Sequence, residues 1–347
     1  MNYKDTLLFI GKCLTITHEK HNRELIEKEL KLNNIDWDPV VKVSTSHYVF
    51  PALYCNLKRV GFLHYLPKDL VEYMQHITDL NRERNQQIIT EAKEINEILL
   101  KNNITPIFLK GTGNLLDGLY DDIAERMVGD IDFLIDEKDI KLTLSILKEE
   151  KYISKPSIDR TIFNRHYPRL VKKDKTGAIE VHYKMTNNNI FNYNYVKSTL
   201  KKVKNITVLS NKNQVLMTCF NKQINDKGQW NKNISFRNSY DLYLQSENTS
   251  SKDVISNFKY SKKYYFDNFI ASTNYFFNSP TSLNYQKTNK TKKFLKKQLF
   301  FIDNPKKHSK YMKSLEYYFL YIHRISLFSK SFYIREYRIY LLKRLFN

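Results

Sequence analysis

From Asn2 to Asn103 apolar residues recur three and four apart between charged ones, as in NRELIEKELKL and RERNQQIITEAKEINEILLKNN. That spacing puts one apolar stripe on each segment and predicts helices. The breaks NNIDWDP and YLPKD read as turns before helix starts, with Asp36 and Pro67 near the caps. The period then changes. ITPIFLK predicts a short buried strand from Ile104 to Leu109, Asn114 to Tyr120 a helix, and DIDFLID a second strand. EKDIKLTLSILKEEKY returns to a helical period, with Leu142, Ile146 and Leu147 facing inward. HYPRLVKKDKTGAIEVHYKM predicts a hairpin of two strands around the polar turn KKDKTGA.

Past Asn187 the chain turns polar and Asn-rich. It becomes helical again through NQVLMTCFNKQI, SFRNSYDLYLQ and an aromatic stretch ending at Phe277. NSPTSLNYQKTNKTKK, with few apolar residues, reads as a linker. The order predicts an α+β fold. A small mixed sheet over 104–200 follows a helical region over 1–103; a second helical region, 201–280, packs on it before a basic aromatic helical tail, 281–347.

Composition sharpens this only in part. A chain of 347 residues, 41% hydrophobic, is long enough for a core and for two compact units. Cys13, Cys55 and Cys219 lie far apart, which argues against a disulfide framework or a zinc site and for a reducing cytosol. The N-terminal apolar run is broken by Gly11 and Lys12, unlike a signal peptide, and no run reaches the length of a membrane span. A soluble cytoplasmic protein is the expectation.

The formal charge of +21 points to a polyanionic partner, or only to a lysine-rich composition that keeps the chain dissolved. It is unevenly spread: Tyr285 to Asn347 carries sixteen Lys and Arg against three acids.

Against that background, FLKGTGNLLDGLYDDIAERMVGDIDFLID, Phe108 to Asp136, collects acids and four of the chain's eight glycines. A dinucleotide fingerprint begun at Gly111 and Gly113 fails at Leu116, and a Walker A loop begun at Gly113 fails at Leu119. The acids say more. On a strand, Asp130 and Asp132 project to one side while Ile131, Phe133 and Ile135 face the other. Two carboxylates roughly 4 Å apart repel by about 4 kcal/mol at an effective dielectric near 20. A divalent cation, Mg²⁺ or Mn²⁺, would offset that repulsion. In AIEVHYKM the same alternation groups Glu180, His182 and Lys184, so Glu180 can add a third carboxylate. A solvated sheet edge explains a lone D-x-D equally well. The upstream Lys110, Gly111 and Thr112 shift the balance, since a strand ending in Lys-Gly-Thr can offer N–H groups, a hydroxyl and an ammonium to a triphosphate.

At these residues the chain resembles the DNA polymerase β-like nucleotidyltransferases, and more closely a bacterial group of uncharacterised nucleotidyltransferases. The resemblance rests on Lys110, Gly111, Tyr120, Arg126, the Gly129 to Asp132 strand, and the Glu180, Val181, His182, Tyr183 element. HYPRL, the Trp-containing lead-in and SFRNSYDLYL with Arg237 and Asp241 extend it over about residues 30 to 275. It departs at Asn221, where a histidine is usual, and at the single proline of HYPRL.

The resemblance implies transfer of a nucleoside monophosphate from an NTP, ATP included, by a metal trio of Asp130, Asp132 and Glu180. Glu180 or a cation-bound water would take the acceptor's proton. Gly111 and Thr112 would hold the β- and γ-phosphates. Lys110 and Arg126 would neutralise triphosphate charge or instead pair with Asp121, Asp122 or Glu125, and His182 would stand beside the cage. Tyr120, Arg237 and Asp241 read first as packing and pairing residues, and the remaining acids, such as Asp117 and Asp136, as solvated positions. RNA in a toxin or defence role, a sugar or lipid-linked acceptor, and a non-catalytic binding module compete; the intact trio disfavours the last.

For the tail, KSLEYYFLYIHRISLFSKSFYIREYRIYLLKRLF interleaves aromatics with arginines along a helical pattern. It would grip a nucleic-acid acceptor, lie on an anionic membrane, or pack on the catalytic unit. Its tyrosines favour base stacking, and no long continuous apolar face stands out, so nucleic acid ranks above membrane.

Overall fold

The structure is a computed structural model that describes residues 1–154, 165–186 and 190–345. It is an α+β fold in which helices flank one mixed sheet. The sheet holds β1 (Ile107–Phe108), β2 (Asp130–Leu134), β3 (Ile153–Ser154), β4 (Leu170–Val171), β5 (Ala178–His182), β6 (Leu200–Val203) and β7 (Ile206–Leu209). Their order is β3-β4-β5-β2-β1-β7-β6. β2 runs parallel to β5 and antiparallel to β1, while β1 runs parallel to β7. Being central, β2 is covered on both faces: Ile131, Phe133 and Leu134 are all fully buried.

The expected helical lead-in is present, with Asp36 and Pro67 at the caps of Trp37–Ser46 and Lys68–Lys101. The longer helix does more than cover the sheet. Its buried Asn81 donates to Ala124 O (2.7 Å), Asn85 donates to Arg126 O (2.7 Å), and Arg84 donates to Val128 O (3.2 Å). Farther along, Glu91 accepts the N–H groups of Thr176 (2.7 Å) and Gly177 (2.8 Å). One helix therefore fixes the backbone entering both β2 and β5.

Several elements differ from the sequence pattern. The first strand shrinks to Ile107–Phe108, and the next helix is Lys110–Leu116 instead of Asn114–Tyr120. Glycine is a poor helix former, yet here it is required: a Cβ on Gly113 would lie 2.7 Å from Phe108 O. Leu142 is 50% exposed and Thr143 takes the inward place, although Ile146 and Leu147 are buried as expected. The β6–β7 hairpin stands where the pattern offers no strand. The hairpin β4–β5 forms as predicted, paired at Leu170↔Ile179, but Lys184 lies beyond the strand and is exposed.

Downstream, Asn211–Phe220, Phe236–Asn248, Ser251–Asn257 and Tyr264–Phe276 are helical. Phe220 anchors them, stacked on Phe191 (5.2 Å) and edge-on to Phe266 (4.8 Å). The linker stretch is partly ordered: Leu283 is buried, and the helix Asn289–Asp303 begins inside it. Two more helices follow, Pro305–Tyr333 and Arg335–Leu345. All three cysteines are free and buried. No helix among the described residues is long and apolar enough to cross a membrane.

Candidate active site

Parallel pairing sets Asp130 against Ala178, Asp132 against Glu180 and Leu134 against His182. Alternation within each strand then gathers the polar side chains on one side. Oxygen or nitrogen atoms of Asp132, Glu180 and His182 all lie within 4.8 Å of one another. His182 Nε2 is 2.8 Å from Asp132 Oδ1 and 3.6 Å from Glu180 Oε2. His182 is fully buried, and its Nδ1 has no hydrogen-bond partner among the described residues.

Two cations balance the carboxylates. Lys110 donates to Asp132 Oδ1, and its Nζ is 3.6 Å from Glu180 Oε2. Arg169 spans the other side, donating through Nε to Glu180 Oε1 (2.8 Å) and through Nη2 to Asp130 Oδ2 (2.6 Å). His166 Nε2 stands 3.9 Å from Glu180 Oε2. Burial pushes the Glu180 carboxyl up, but His182, Lys110 and Arg169 outweigh it and hold the group well below the usual carboxylate range. Asp132 follows the same logic: burial opposes, while Lys110 and His182 win and keep it low. Burial raises Asp130 instead, partly countered by Arg169 and reinforced by Glu180 and Asp132.

The tight trio is thus Asp132, Glu180 and His182. Asp130, the most exposed of the three acids, joins it through Arg169. Two carboxylates and an imidazole converging on one point, inside a ring of compensating cations, are a donor set that fits a divalent metal.

Beside the trio lies a cleft of about 190 Å³ lined by Lys110, Gly111, Arg126, Asp130, Arg165 and Arg237, among others. Lys110 adopts φ +52°, a left-handed conformation that costs a non-glycine residue roughly 1 kcal/mol. Gly111 packs closely, since a Cβ there would lie 2.9 Å from Val128 Cγ2. Thr112 is placed differently from the sequence expectation. It is fully buried and donates to Asp130 O (2.7 Å), fastening the turn to β2.

Arg126 also lines the cleft, but its partner is none of the acids near it in sequence. Its Nε donates to Asp241 at 2.9 and 3.1 Å, and Tyr120 donates to Asp241 Oδ1 (2.7 Å). Asp122 instead pairs with Arg82, and Glu125 with Arg59 and Tyr240. Asp117 holds Lys201 (2.7 Å) and Gln214 (2.9 Å), and Asp136 caps the turn Glu137–Asp139. These acids are structural partners more than solvated positions.

Sequence reasoning assigned no role to Arg165, His166 or Arg169, although HYPRL was singled out. Arg237, which the sequence presents first as a packing or pairing residue, lines the cleft. It stacks on Tyr48 (4.9 Å), and its Nε is buried without a hydrogen-bond partner among the described residues.

No curated protein and no solved structure matches the chain. A family model described as "Uncharacterised nucleotidyltransferase" does match, over residues 33–260, which include every side chain of the site. The chain therefore belongs to this uncharacterised nucleotidyltransferase family, and its reaction class is nucleotidyl transfer from an NTP.

Proposed function

We propose that the cleft transfers a nucleoside monophosphate, from ATP or another NTP, to a hydroxyl or phosphate oxygen of an acceptor on a DNA polymerase β-like scaffold. The observation that carries this reading is the juxtaposition of the Asp132–Glu180 pair with a cleft wall of Lys110, Arg126, Arg165 and Arg237. Asp132 and Glu180 would form a metal-binding end, and Arg165 and Arg237 would offer charge to phosphate oxygens.

Asp132 and Glu180, with Asp130 and His182 beside them, would hold Mg²⁺ or Mn²⁺. Such a cation supplies Lewis-acid charge to phosphoryl oxygens and promotes loss of the acceptor's proton. The chain's own residues do the rest. Arg126 is already neutralised by Asp241, so Arg237 and Arg165 carry most of the charge available to the triphosphate. Lys110 sits between the two ends. Gly111 offers backbone without a side chain, and Thr112 holds β2 in place. Glu180 or a water on that cation would take the proton of the acceptor hydroxyl, with Asp130, the most exposed of the three acids, as the nearest alternative. The acceptor oxygen then bonds to the α-phosphorus, the bond from that phosphorus to the β-bridging oxygen breaks, and pyrophosphate leaves.

Calorimetry tests the donor half. NTP binding should require Mg²⁺ or Mn²⁺ and fall by about tenfold or more in an Asp130→Ala/Asp132→Ala double variant. Equal binding by variant and wild type would end this reading. For the acceptor, labelled NTP incubated with RNA, protein and glycan or lipid fractions separates an RNA acceptor from a sugar or lipid-linked one.

A further inference from the structure

The helix Pro305–Tyr333 is tied to the body near its start. His308 Nε2 is 2.8 Å from Asn231 O, Tyr311 donates to Trp230 O (2.8 Å), and Phe319 meets Trp230 edge-on. From there on, large apolar side chains face water. Tyr317, Tyr321, Ile325, Phe328 and Phe332 follow one another at intervals of four, four, three and four, which is one stripe of a helix. They are 62, 57, 65, 61 and 62% exposed. Tyr318, Ile322 and Tyr333 widen the stripe and are exposed too. Toward the N-terminus the same seam continues as exposed Lys306, Lys310 and Lys313, with Arg324 along its border. Glu316 is the helix's one acid, and its position lies off the seam. The far side carries buried Leu327, beside the following helix with its buried Tyr337.

The sequence expectation of no long continuous apolar face is corrected here: these positions share one side of the helix and are all exposed. A patch of this kind marks an interaction surface.

We propose that this seam docks on an anionic lipid bilayer, lying in the headgroup plane. Charge and side-chain type select that partner. A lysine end feeding into a Tyr, Ile and Phe stripe matches an interface that is anionic outside and apolar beneath. Tyrosine suits the boundary itself, and lysine stems can lie along apolar surface with their ammonium groups in the headgroups. Ile322 and Ile325 give a nucleic acid nothing to stack on. A second copy packed in parallel would bring lysine seam against lysine seam, and one packed antiparallel would bury the lysines against the apolar stripe. The surface is separate from the cleft and does not rest on the reading of the cleft.

The test uses the full chain with phosphatidylcholine vesicles made with and without phosphatidylserine. The protein should co-sediment with the anionic vesicles only, less so as salt rises. A Tyr321→Ser/Ile325→Ser/Phe328→Ser variant should lose about tenfold or more in partitioning while keeping its melting temperature and NTP binding. Wild type left in the supernatant with anionic vesicles would overturn the proposal, as would undiminished binding by the triple variant. So would a wild-type dimer in light scattering that the triple variant abolishes, or RNA binding that depends on the same three residues in a protein indifferent to vesicles.

Discussion

The site and the tail use the same residue types in opposite ways. Around β2 and β5 each acid of the candidate site has a cationic partner, and most of the carboxylates are buried: Asp132 touches Lys110, Glu180 and the half-buried Asp130 share the exposed Arg169, and Arg126 is locked to Asp241. In the helix Pro305–Tyr333 the lysines, and the tyrosines after Tyr311, stand in water. Burial makes a charge expensive, so the site can keep one only by building a partner for it. Exposure makes a charge cheap, so the seam's Lys306, Lys310 and Lys313 need no counter-charge inside the chain and can meet an external one. The family match covers the first region and stops before the second.

The contrast breaks most visibly at Asp241, which is buried against an equally buried Arg126. Asp241→Asn leaves that guanidinium without its counter-charge and should cost about 3 to 5 kcal/mol in urea unfolding at neutral pH. Loss of less than about 1 kcal/mol would mean that water reaches the pair, and the distinction between the two regions would narrow.

How much of this was legible depends on the range of each signal. The D-x-D and E-x-H alternation is local, and it placed Asp130, Asp132, Glu180 and His182 on the correct side of their strands. Register between strands is long-range: nothing within β2 announces that Asp132 will face Glu180. Arg169 escaped for the same reason, because its partners lie 39 and 11 residues away. Arg126 had several acids close by in sequence and chose Asp241 on a distant helix. Short apolar runs such as Ile206–Leu209, buried at all four positions, carry no period by which to tell strand from helix. In the tail the helix was readable, but which of its faces would lack a neighbour was not.

A pH titration sharpens the contrast at His47. This side chain packs on Phe236 (5.0 Å), and its Nδ1 accepts the Phe236 N–H (3.3 Å). Burial, helped by the charge of Lys222, pushes it down to about 4 from an ordinary value of 6.5. Between those values the unfolded chain binds a proton that the folded one refuses, so folding weakens as pH falls. From pH 7 to pH 5 the loss assignable to this residue should be about 1 to 2 kcal/mol. His47→Gln should flatten the pH dependence of urea unfolding by that amount. An unchanged slope would place a protonated His47 in the folded protein.

The smallest effect belongs to the tail. Tyr317 and Phe332 keep 62% of their surface in water, so folding buries the smaller part of each. Tyr317→Ala and Phe332→Ala should each shift urea unfolding by no more than about 0.5 kcal/mol. Phe133→Ala, which empties a fully buried position in β2, should cost about 3 to 5 kcal/mol. The ratio is the measurement that matters. If either tail substitution costs more than about 1 kcal/mol, the stripe rests on the protein's own body in solution. It would then be one more part of the core, with no surface left over for a partner.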